Sequence, residues 1–252
     1  MKSIDIFYKS YSRDFSLLYY SLQSLLKNVT GVNTVQIVIP KKDIKLFMDM
    51  FWNTSQKIAE IQWSTNIEYG NGYLYQQWCK LNAYDYCKAD YILFADSDCI
   101  FDHPIDLQDY IKDDKPEILY TDYNKVGDAI CWKACTENFL GEPVSYEFMR
   151  RNCLIYHRST LKNIAKFRPN LEKYIMESER FSEFNAIGAY INKYERDKYF
   201  LVNTDNWEYT PPKAEQLWGW AEKDNPDETH VREYARSLKV INETLGLNIV
   251  EI

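Results

Sequence analysis

The chain has 252 residues, of which 46% are hydrophobic and 27% charged, so it can bury one large core. This composition excludes a collagenous, low-complexity or disulfide-dense protein, and the formal net charge of −7 argues against general adhesion to nucleic acid or to an anionic membrane. No stretch approaches the roughly 18 uninterrupted apolar residues of a membrane helix, and the N-terminal MKSIDIFYKSYSRD lacks the apolar core of a signal peptide. We therefore expect a cytoplasmic protein without a membrane span.

Predicted strands and helices alternate through the first part of the chain. Their order is strand SIDIFY (3–8), helix FSLLYYSLQSLLKN (15–28), strand VNTVQIVIP (32–40), helix KKDIKLFMDMFW (41–52), strand IAEIQWS (58–64), helix GYLYQQWCKLNAYDYCKAD (72–90) and strand YILFA (91–95). In the last helix, Leu74, Trp78 and Leu81 fall on one face. Alternation of this kind predicts an α/β fold, with a mostly parallel central sheet and helices on both faces.

The cysteines are expected to be reduced thiols, because no signal peptide directs the chain to an oxidising compartment. Cys131 and Cys135 have the spacing of one helical turn and could bind a metal ion. A zinc site would need two more ligands, and no second pair with such spacing follows in the sequence. The chain contains six cysteines, at positions Cys79, Cys87, Cys99, Cys131, Cys135 and Cys153.

Two aspartates follow the last predicted strand, in the stretch YILFADSDCIFDHP (91–104). Ligands of open parallel sheets bind outside the carboxyl ends of the strands, where the strand order reverses. Asp96 and Asp98 are two residues apart, so both side chains can face one ligand. Their mutual repulsion calls for a cation, and hard oxygen ligands suit magnesium or manganese bridging to substrate phosphates. The pattern favours a metal-diphosphate site over the alternative, a solvated strand end.

Three stretches together resemble the GT-A fold glycosyltransferases that use nucleotide sugars. They are GYLYQQWCKLNAYDYCKADYILFADSDCIF (72–101), SYEFMRRNCLIYHRSTL (145–161) and RFSEFNAIGAYINKY (180–194). The first is similar to the core of a bacterial and viral branch of that superfamily, in which a glycine-aromatic-QQ-x-x-KL helix precedes a strand and a DxD motif. The resemblance covers roughly residues 3 to 200.

The resemblance implies one GT-A domain over residues 1–252, with a Rossmann-like, mostly parallel sheet. It comprises a nucleotide-sugar half (1–104), an acceptor half (105–200) and a C-terminal lid or helical extension (201–252). The implied activity is metal-dependent transfer of a sugar from a nucleoside-diphosphate sugar to an acceptor hydroxyl, with manganese or magnesium as the cofactor. The acceptor is a glycan or another hydroxyl-bearing molecule, and the acidic charge disfavours nucleic acid.

The resemblance also assigns roles around the DxD motif. It makes Asp98 the direct metal ligand, while Asp96 contacts the ribose, or the metal through water. Gln76, Gln77 and Lys80 precede the strand on a helix, where their donors could contact ribose or phosphate. For Gln77 and Lys80 the alternative is an ordinary solvated helix face.

The loop after the first strand is expected to border the nucleotide base. Tyr8 or Tyr11 would stack on the base, and Asp14 would accept a hydrogen bond from it. A tyrosine that merely covers the sheet is the alternative.

Glu183 lies at the start of a predicted helix in FSEFNAIG. Ser182 can cap this helix, and the helix dipole favours a carboxylate in the first turn. The resemblance adds a catalytic interpretation, in which Glu183 orients or deprotonates the acceptor hydroxyl, as an acid does at this place in inverting enzymes. The two roles are compatible.

Three histidines and three tryptophans complete the set of candidates. We expect His103 to be a solvated turn residue, and His157 either to bond to backbone groups or to point into the acceptor cleft. GT-A enzymes often take a third metal ligand from the C-terminal part, where His230 is the candidate, although its charged helix also suits an exposed residue. Trp207, Trp218 and Trp220 flank a diproline and would either bind sugar rings or pack a lid against the domain.

Three other functions remain as alternatives. In a haloacid dehalogenase-type phosphohydrolase a DxD also ends a strand, with the first aspartate as nucleophile, but that strand normally opens the domain. A sugar-nucleotide-binding protein without turnover would keep the fold and lose the base. Nucleotidyl transfer uses a similar metal and fold, but the glycine-rich phosphate loop that it usually needs is missing from YKSYSRD.

Overall fold

The computed structural model describes residues 2–57, 61–66, 69–127, 129–149, 153–206, 213–217 and 228–249. Its strands are β1 Ile4–Lys9, β2 Val29–Thr30, β3 Thr34–Pro40, β4 Ile61–Asn66, β5 Tyr91–Phe94, β6 Cys99–Ile100, β7 Ile105–Asp106, β8 Ile111–Lys112, β9 Lys115–Asp122, β10 Tyr146–Glu147, β11 Ile155–His157, β12 Phe200–Asn203 and β13 Glu215–Gln216. Its α-helices are α1 Phe15–Asn28, α2 Ile44–Lys57, α3 Gly72–Leu81, α4 Ala83–Tyr86, α5 Lys133–Leu140, α6 Arg158–Phe167, α7 Leu171–Met176, α8 Glu183–Tyr194 and α9 Glu228–Leu245.

The central sheet has five strands in the order β11-β5-β1-β3-β4. Strand β1 pairs in parallel with β3 and β5, β3 pairs in parallel with β4, and β11 is antiparallel to β5. The chain adds β3 and β4 on one side of β1 and then crosses to add β5 on the other side. The strand order therefore reverses between β1 and β5, and the prediction of a mostly parallel α/β sheet is confirmed.

Alternating side chains of the central strands divide the hydrophobic core into two layers. On β1, Ile4, Ile6 and Tyr8 pack into one layer, whereas Phe7 packs into the other. Helices α1 and α2 contribute to the first layer, and α3, α5, α6 and α8 contribute to the second. Helices thus cover both faces, as the continuous apolar character of buried parallel strands requires.

Several elements differ from their predicted bounds, and helix α2, for example, covers Ile44–Lys57 instead of residues 41–52. The long helix predicted over residues 72–90 is split, because α3 ends at Leu81 and the short helix α4 follows after Asn82. Strand β4 ends at Asn66 rather than at Ser64, and residues 58–60 of its predicted range lie outside the described residues. Asn71 caps α3, since its side chain accepts hydrogen bonds from the backbone N–H groups of Tyr73 and Leu74.

A second sheet is built around β9. Strand β9 pairs antiparallel with β8 and β10, and parallel with β12. Helix α8 packs close to β10, because a Cβ atom on Gly188 would lie 2.1 Å from Cγ of Phe148. This close approach needs glycine, and it fixes the helix that begins with Glu183. In the part of the chain that the structure describes, every helix is too short or too polar to cross a membrane.

Candidate functional site

The crevice between the carboxyl ends of β1 and β5 is the place where the strand order reverses, and such crevices bind ligands in open α/β sheets. Ser10 follows β1, and Asp96, Ser97 and Asp98 follow β5. The hydroxyl of Ser97 donates a hydrogen bond of 2.9 Å to the hydroxyl of Ser10, which ties the two loops together. The sheet therefore brings the DxD motif to the predicted edge.

A buried ion-pair cluster supports the first aspartate of this motif. Nζ of Lys80 on α3 lies 2.7 Å from Oδ1 of Asp96 and 2.7 Å from Oε1 of Glu183 on α8. Nε2 of Gln76 donates to the same Oδ1 at 3.1 Å, and Oε1 of Gln77 accepts from the backbone N–H of Glu183 at 3.0 Å. The exposed fractions of the three charged side chains are 2% for Lys80, 17% for Asp96 and 3% for Glu183, so only Asp96 reaches the surface.

Electrostatics fix the charge of Lys80. Burial alone would lower the pKa of Lys80, but the charges of Asp96 and Glu183 act in the opposite direction, and the pKa is raised above its ordinary value. Burial raises the pKa of Glu183, and the charge of Lys80 opposes that rise. Lys80 is therefore an ammonium ion whose charge is shared between two carboxylates from different parts of the chain.

Asp98 has a different environment from Asp96. Burial raises the pKa of Asp98 to about 8, and the negative charges of Asp96 and Asp14 add to the effect. Gln216 on β13 lies over it, with Nε2 at 3.5 and 3.4 Å from the two carboxylate oxygens, and the N–H of Leu217 donates to its carbonyl at 2.7 Å. The antiparallel pairing of β13 with β6 places this segment there.

The donor atoms fit a hard divalent cation. Burial and the nearby charge of Asp96 raise the pKa of Asp98, and a cation bound at the two carboxylates would oppose that rise. The described contacts of the Asp96 carboxylate involve Oδ1, and its side chain is 17% exposed. Two protein carboxylates suit magnesium or manganese ions, which keep waters and phosphate oxygens as their other ligands.

In the part of the chain that the structure describes, no larger metal cluster accompanies this pair. Within the described ranges, no group of three or more histidine, cysteine, aspartate and glutamate side chains is placed to hold a metal ion. No disulfide joins the six cysteines, all of which lie among the described residues, and Sγ of Cys135 donates to the carbonyl of Trp132.

The two candidate tyrosines of the first loop have different positions. Tyr8 is fully buried among core residues, and its hydroxyl lies 3.0 Å from Oγ of Ser21. A base cannot stack on a ring without an exposed face, so the prediction for Tyr8 is wrong and its alternative, a tyrosine on the sheet, is correct. Tyr11 is 38% exposed, and Asp14 lies close enough to Asp98 to raise its pKa. Tyr11 and Asp14 thus remain candidates for contact with a base.

Three other candidates lie deeper than expected. Gln77 and Lys80 are 4% and 2% exposed, which contradicts the alternative of a solvated helix face. Ser182 caps α8 through a 3.3 Å hydrogen bond from the N–H of Asn185, as predicted. The carboxylate of Glu183 meets Lys80 instead of an open cleft.

The histidines lie away from the acidic pair or outside the described side chains. Nδ1 of His103 lies 2.8 Å from Oδ1 of Asp102 at the surface. His157 pairs in register with Tyr91 at the start of β5, which is the opposite edge of the sheet, and its Nε2 lies 3.2 Å from the carbonyl of Lys198. His157 therefore bonds to the backbone and does not point into the crevice. The side chain of His230 on α9 lies outside the described residues, as do Trp207, Trp218 and Trp220.

Sequence reasoning missed three side chains that shape the site. Ser10 and Ser97 each lie two residues after the end of a predicted strand, and that position was the available signal for both. Gln216 contacts Asp98 across 118 residues of chain, and no local pattern marks such a contact.

Comparisons with known proteins agree on the fold. The family model described as a family of unknown function (DUF6492) matches residues 2–143. No curated protein matches the chain in sequence. Three solved structures illustrate the structural similarity, each at an identity so low that the match shows the fold alone.

The first is the galactosyltransferase LgtC in complex with donor and acceptor sugar analogs, with a TM-score of 0.59 at 10% identity over 97% of each chain. The second is a putative glucose-1-phosphate thymidylyltransferase from Bacillus anthracis in complex with a sucrose, with a TM-score of 0.54 at 10% identity over 99% of this chain and 98% of that chain. The third is a 4-diphosphocytidyl-2C-methyl-D-erythritol synthase from Anaerococcus prevotii, with a TM-score of 0.53 at 12% identity over 93% and 96%. The predicted GT-A-like fold is thereby confirmed.

Proposed function

This chain belongs to the family of unknown function DUF6492, and we propose that it is a metal-dependent glycosyltransferase. The donor is a nucleoside-diphosphate sugar, and the acceptor is a hydroxyl group. The observation that carries the proposal is the position of Asp96 and Asp98, which follow β5 at the point where the strand order reverses. The galactosyltransferase LgtC, which has a similar fold, is described with donor and acceptor sugar analogs and supports this choice of chemistry.

Asp96 and Asp98 are the proposed ligands of a manganese or magnesium ion. When bound, such an ion supplies positive charge that neutralises the diphosphate leaving group. Lys80 and Gln76 hold Asp96 in one orientation through contacts of 2.7 and 3.1 Å. Gln216 holds the carboxyl group of Asp98 through contacts of 3.5 and 3.4 Å to its two oxygens.

Glu183 acts through Lys80 in this proposal. A carboxylate that is 2% exposed and 2.7 Å from an ammonium group is poorly placed to accept a proton from an external hydroxyl. We therefore assign Glu183 the role of a positioning residue, which shares the charge of Lys80 and keeps that lysine beneath Asp96. The predicted roles of Gln77 and Lys80 as direct contacts of ribose or phosphate give way to the same supporting function.

Contacts to the nucleotide come from the loop after β1. The exposed ring of Tyr11 is the proposed stacking surface for the base, and Asp14 is the proposed hydrogen-bond acceptor. In this arrangement residues 1–104 bind the donor, residues 105–200 face the acceptor, and the C-terminal part closes over the site. His230 remains a candidate for a third ligand from α9.

Hydrolysis of the donor tests the proposal without knowledge of the acceptor. The chain is incubated with UDP-, GDP-, CDP- and dTDP-sugars in the presence of manganese or EDTA, and the products are separated by chromatography. We expect slow release of a nucleoside diphosphate and a free sugar from one donor class, only with the metal ion, because water replaces the acceptor.

Three outcomes would contradict the proposal. Formation of a nucleoside triphosphate and a sugar 1-phosphate after addition of pyrophosphate would indicate a nucleotidyltransferase. Phosphate release from a simple phosphomonoester, with a phosphoaspartate at Asp96, would indicate a phosphohydrolase. Binding of a sugar nucleotide without any turnover would indicate a binding protein.

A further inference from the structure

A partly exposed group of side chains lies next to the buried cluster, and we call it the aromatic platform (Tyr73, Trp132 and Arg180). Tyr73 on α3 is 44% exposed, and its ring centroid lies 6.3 Å from that of Trp132, which ends the helical turn Ala129–Trp132. Cζ of Arg180, in the loop before α8, lies 5.1 Å from the centroid of the Trp132 ring. Three separate segments thus converge at one place on the surface.

The platform is continuous with the candidate site. Tyr73 and Lys80 are seven residues apart on α3, so they share a face and are separated by about 10 Å along the helix axis. The hydroxyl of Tyr73 donates a 2.9 Å hydrogen bond to the carbonyl of Phe181, two residues before Glu183. The platform therefore lies at the N-terminal end of α3, on the helix face whose C-terminal end carries Lys80, the partner of Asp96.

The side chains of the platform suit a saccharide with an acidic group. Exposed aromatic rings bind the apolar faces of sugars. An arginine that stacks on tryptophan keeps the edge of its guanidinium group available, and that edge matches a carboxylate or phosphate in a bidentate pair.

Arg180 has no acidic partner of its own in the part of the chain that the structure describes. Among the described residues, the exposed Glu179 makes no ion pair with Arg180, and Glu183, whose charge acts on Tyr73, is paired with Lys80. Lys133 follows Trp132 directly in the chain, and its Nζ lies 5.9 Å from the centroid of the Tyr123 ring. In a chain with a net charge of −7, this is a locally cationic and aromatic surface.

We propose that the aromatic platform is the acceptor subsite and that the acceptor is an acidic saccharide, bearing a carboxylate or a phosphate, an inference that rests on the glycosyltransferase function proposed above. A sugar ring packs on Tyr73, and the acidic group pairs with the guanidinium of Arg180. Trp132 is the positioning residue, because the guanidinium group of Arg180 stacks on its ring. The hydroxyl to be glycosylated then lies toward Asp96.

Calorimetric titration with three probes tests this subsite. The probes are trigalacturonate, which carries carboxylates, a phosphorylated oligomannose, which carries phosphate, and neutral maltotriose, all at about 0.15 M ionic strength to screen weak attraction. We expect at least one acidic probe to bind about tenfold or more tightly than maltotriose, and Arg180→Gln to remove that preference, since a charge-assisted pair has this size. The probe that binds identifies the acidic group.

A matched control variant is available at Arg168. Its Cζ stacks 4.5 Å from the ring of Tyr174, but its NH2 group already donates to the carbonyl of Asn138. Arg168→Gln should leave binding of the acidic probes unchanged, and Trp132→Leu should weaken it as Arg180→Gln does.

Equal affinity for acidic and neutral probes, no binding of any probe, or an unchanged preference in Arg180→Gln would overturn the subsite. Binding of a nucleoside diphosphate with manganese is measured on the same samples and should be normal in Arg180→Gln. If wild-type protein fails to bind every nucleotide, the proposed function itself fails, and the two failures are thereby distinguished.

Discussion

Two buried lysines show how differently this chain treats a charge in its interior. Lys80 and Lys213 are exposed to 2% and 5%, so burial removes water from both to nearly the same extent. Lys80 touches two carboxylates, and its pKa is raised. Lys213 lies 4.0 Å from the centroid of the Tyr110 ring, and burial lowers its pKa to about 8 although the charge of Glu117 opposes this.

The difference shows that partners, rather than depth, decide whether a buried lysine stabilises the fold. Within the described ranges, no carboxylate lies at ion-pair distance from Lys213, so its ammonium is dehydrated without full compensation. The cluster around Lys80 is compensated, and it lies directly under the acidic pair. Lys213 lies in the segment that leads into β13, and Gln216 on β13 contacts Asp98. The poorly compensated ammonium of Lys213 therefore lies in the same segment as a contact of the candidate site.

Replacing each lysine with methionine should give the largest contrast. Lys80→Met leaves Asp96 and Glu183 without a cation, and Glu183 is buried, so we expect the free energy of unfolding to fall by about 3 to 5 kcal/mol. Lys213→Met is the matched control with the same chemical change, and it should be neutral or stabilising at pH 7 because an apolar group replaces a poorly compensated charge. Urea denaturation measures both. Equal losses of stability in the two variants would contradict the conclusion that partners decide what a buried lysine contributes.

The pH dependence of stability should expose Lys213 specifically. Between pH 8 and the pKa of an unfolded lysine, about 10.4, the folded form binds fewer protons than the unfolded form. Stability therefore rises with pH in this window, by about 2 kcal/mol from pH 7 to pH 9.5. The difference between the denaturation curves of wild type and Lys213→Met isolates this contribution from the tyrosines. A difference that does not change with pH would show that Lys213 has an ordinary pKa.

A smaller change in the Lys80 cluster measures the contribution of Glu183 alone. Glu183→Gln keeps a hydrogen-bond acceptor for Lys80 and leaves Asp96 as its counter-ion, so unfolding should become easier by only about 1 to 2 kcal/mol. Donor hydrolysis should stay near the wild-type rate, because Glu183 supports the site and does not accept a proton. A fall of about 100-fold in sugar transfer, with normal donor binding and stability, would restore Glu183 as the general base.

The sequence predicts which strands and helices form the site better than it predicts the side-chain contacts within it. Alternation of strands and helices located β1, β5 and α3, and with them the crevice that holds Asp96 and Asp98. The pairing of Lys80 with Glu183 spans 103 residues, and a contact of this range depends on how α8 packs against α3. Periodicity describes one element at a time and does not contain that information.

The burial of Tyr8 follows from the two-residue periodicity of β1. Tyr8 is two residues from Ile6 and four from Ile4, so the three side chains project from the same face of β1. All three pack into the same core layer. Tyr11 lies beyond the strand and is the tyrosine that reaches the surface. For Gln216 no such rule exists, since its approach to Asp98 requires the pairing of β13 with β6.

The most direct test of the account is nucleotide binding by wild type, Asp98→Ala and Asp102→Ala, each with manganese or EDTA. Asp102 is an exposed carboxylate four residues further along the chain, on the other side of β6 and bonded to His103, and serves as the matched control. Titration of UDP, GDP, CDP and dTDP is followed by calorimetry and by melting temperature, since a ligand bound only by the folded state raises stability by about 2.7 kcal/mol at 100 times its Kd. The account predicts binding of one nucleotide by wild type and Asp102→Ala with manganese only, and its loss in a folded Asp98→Ala. Tight binding by Asp98→Ala in EDTA would contradict it.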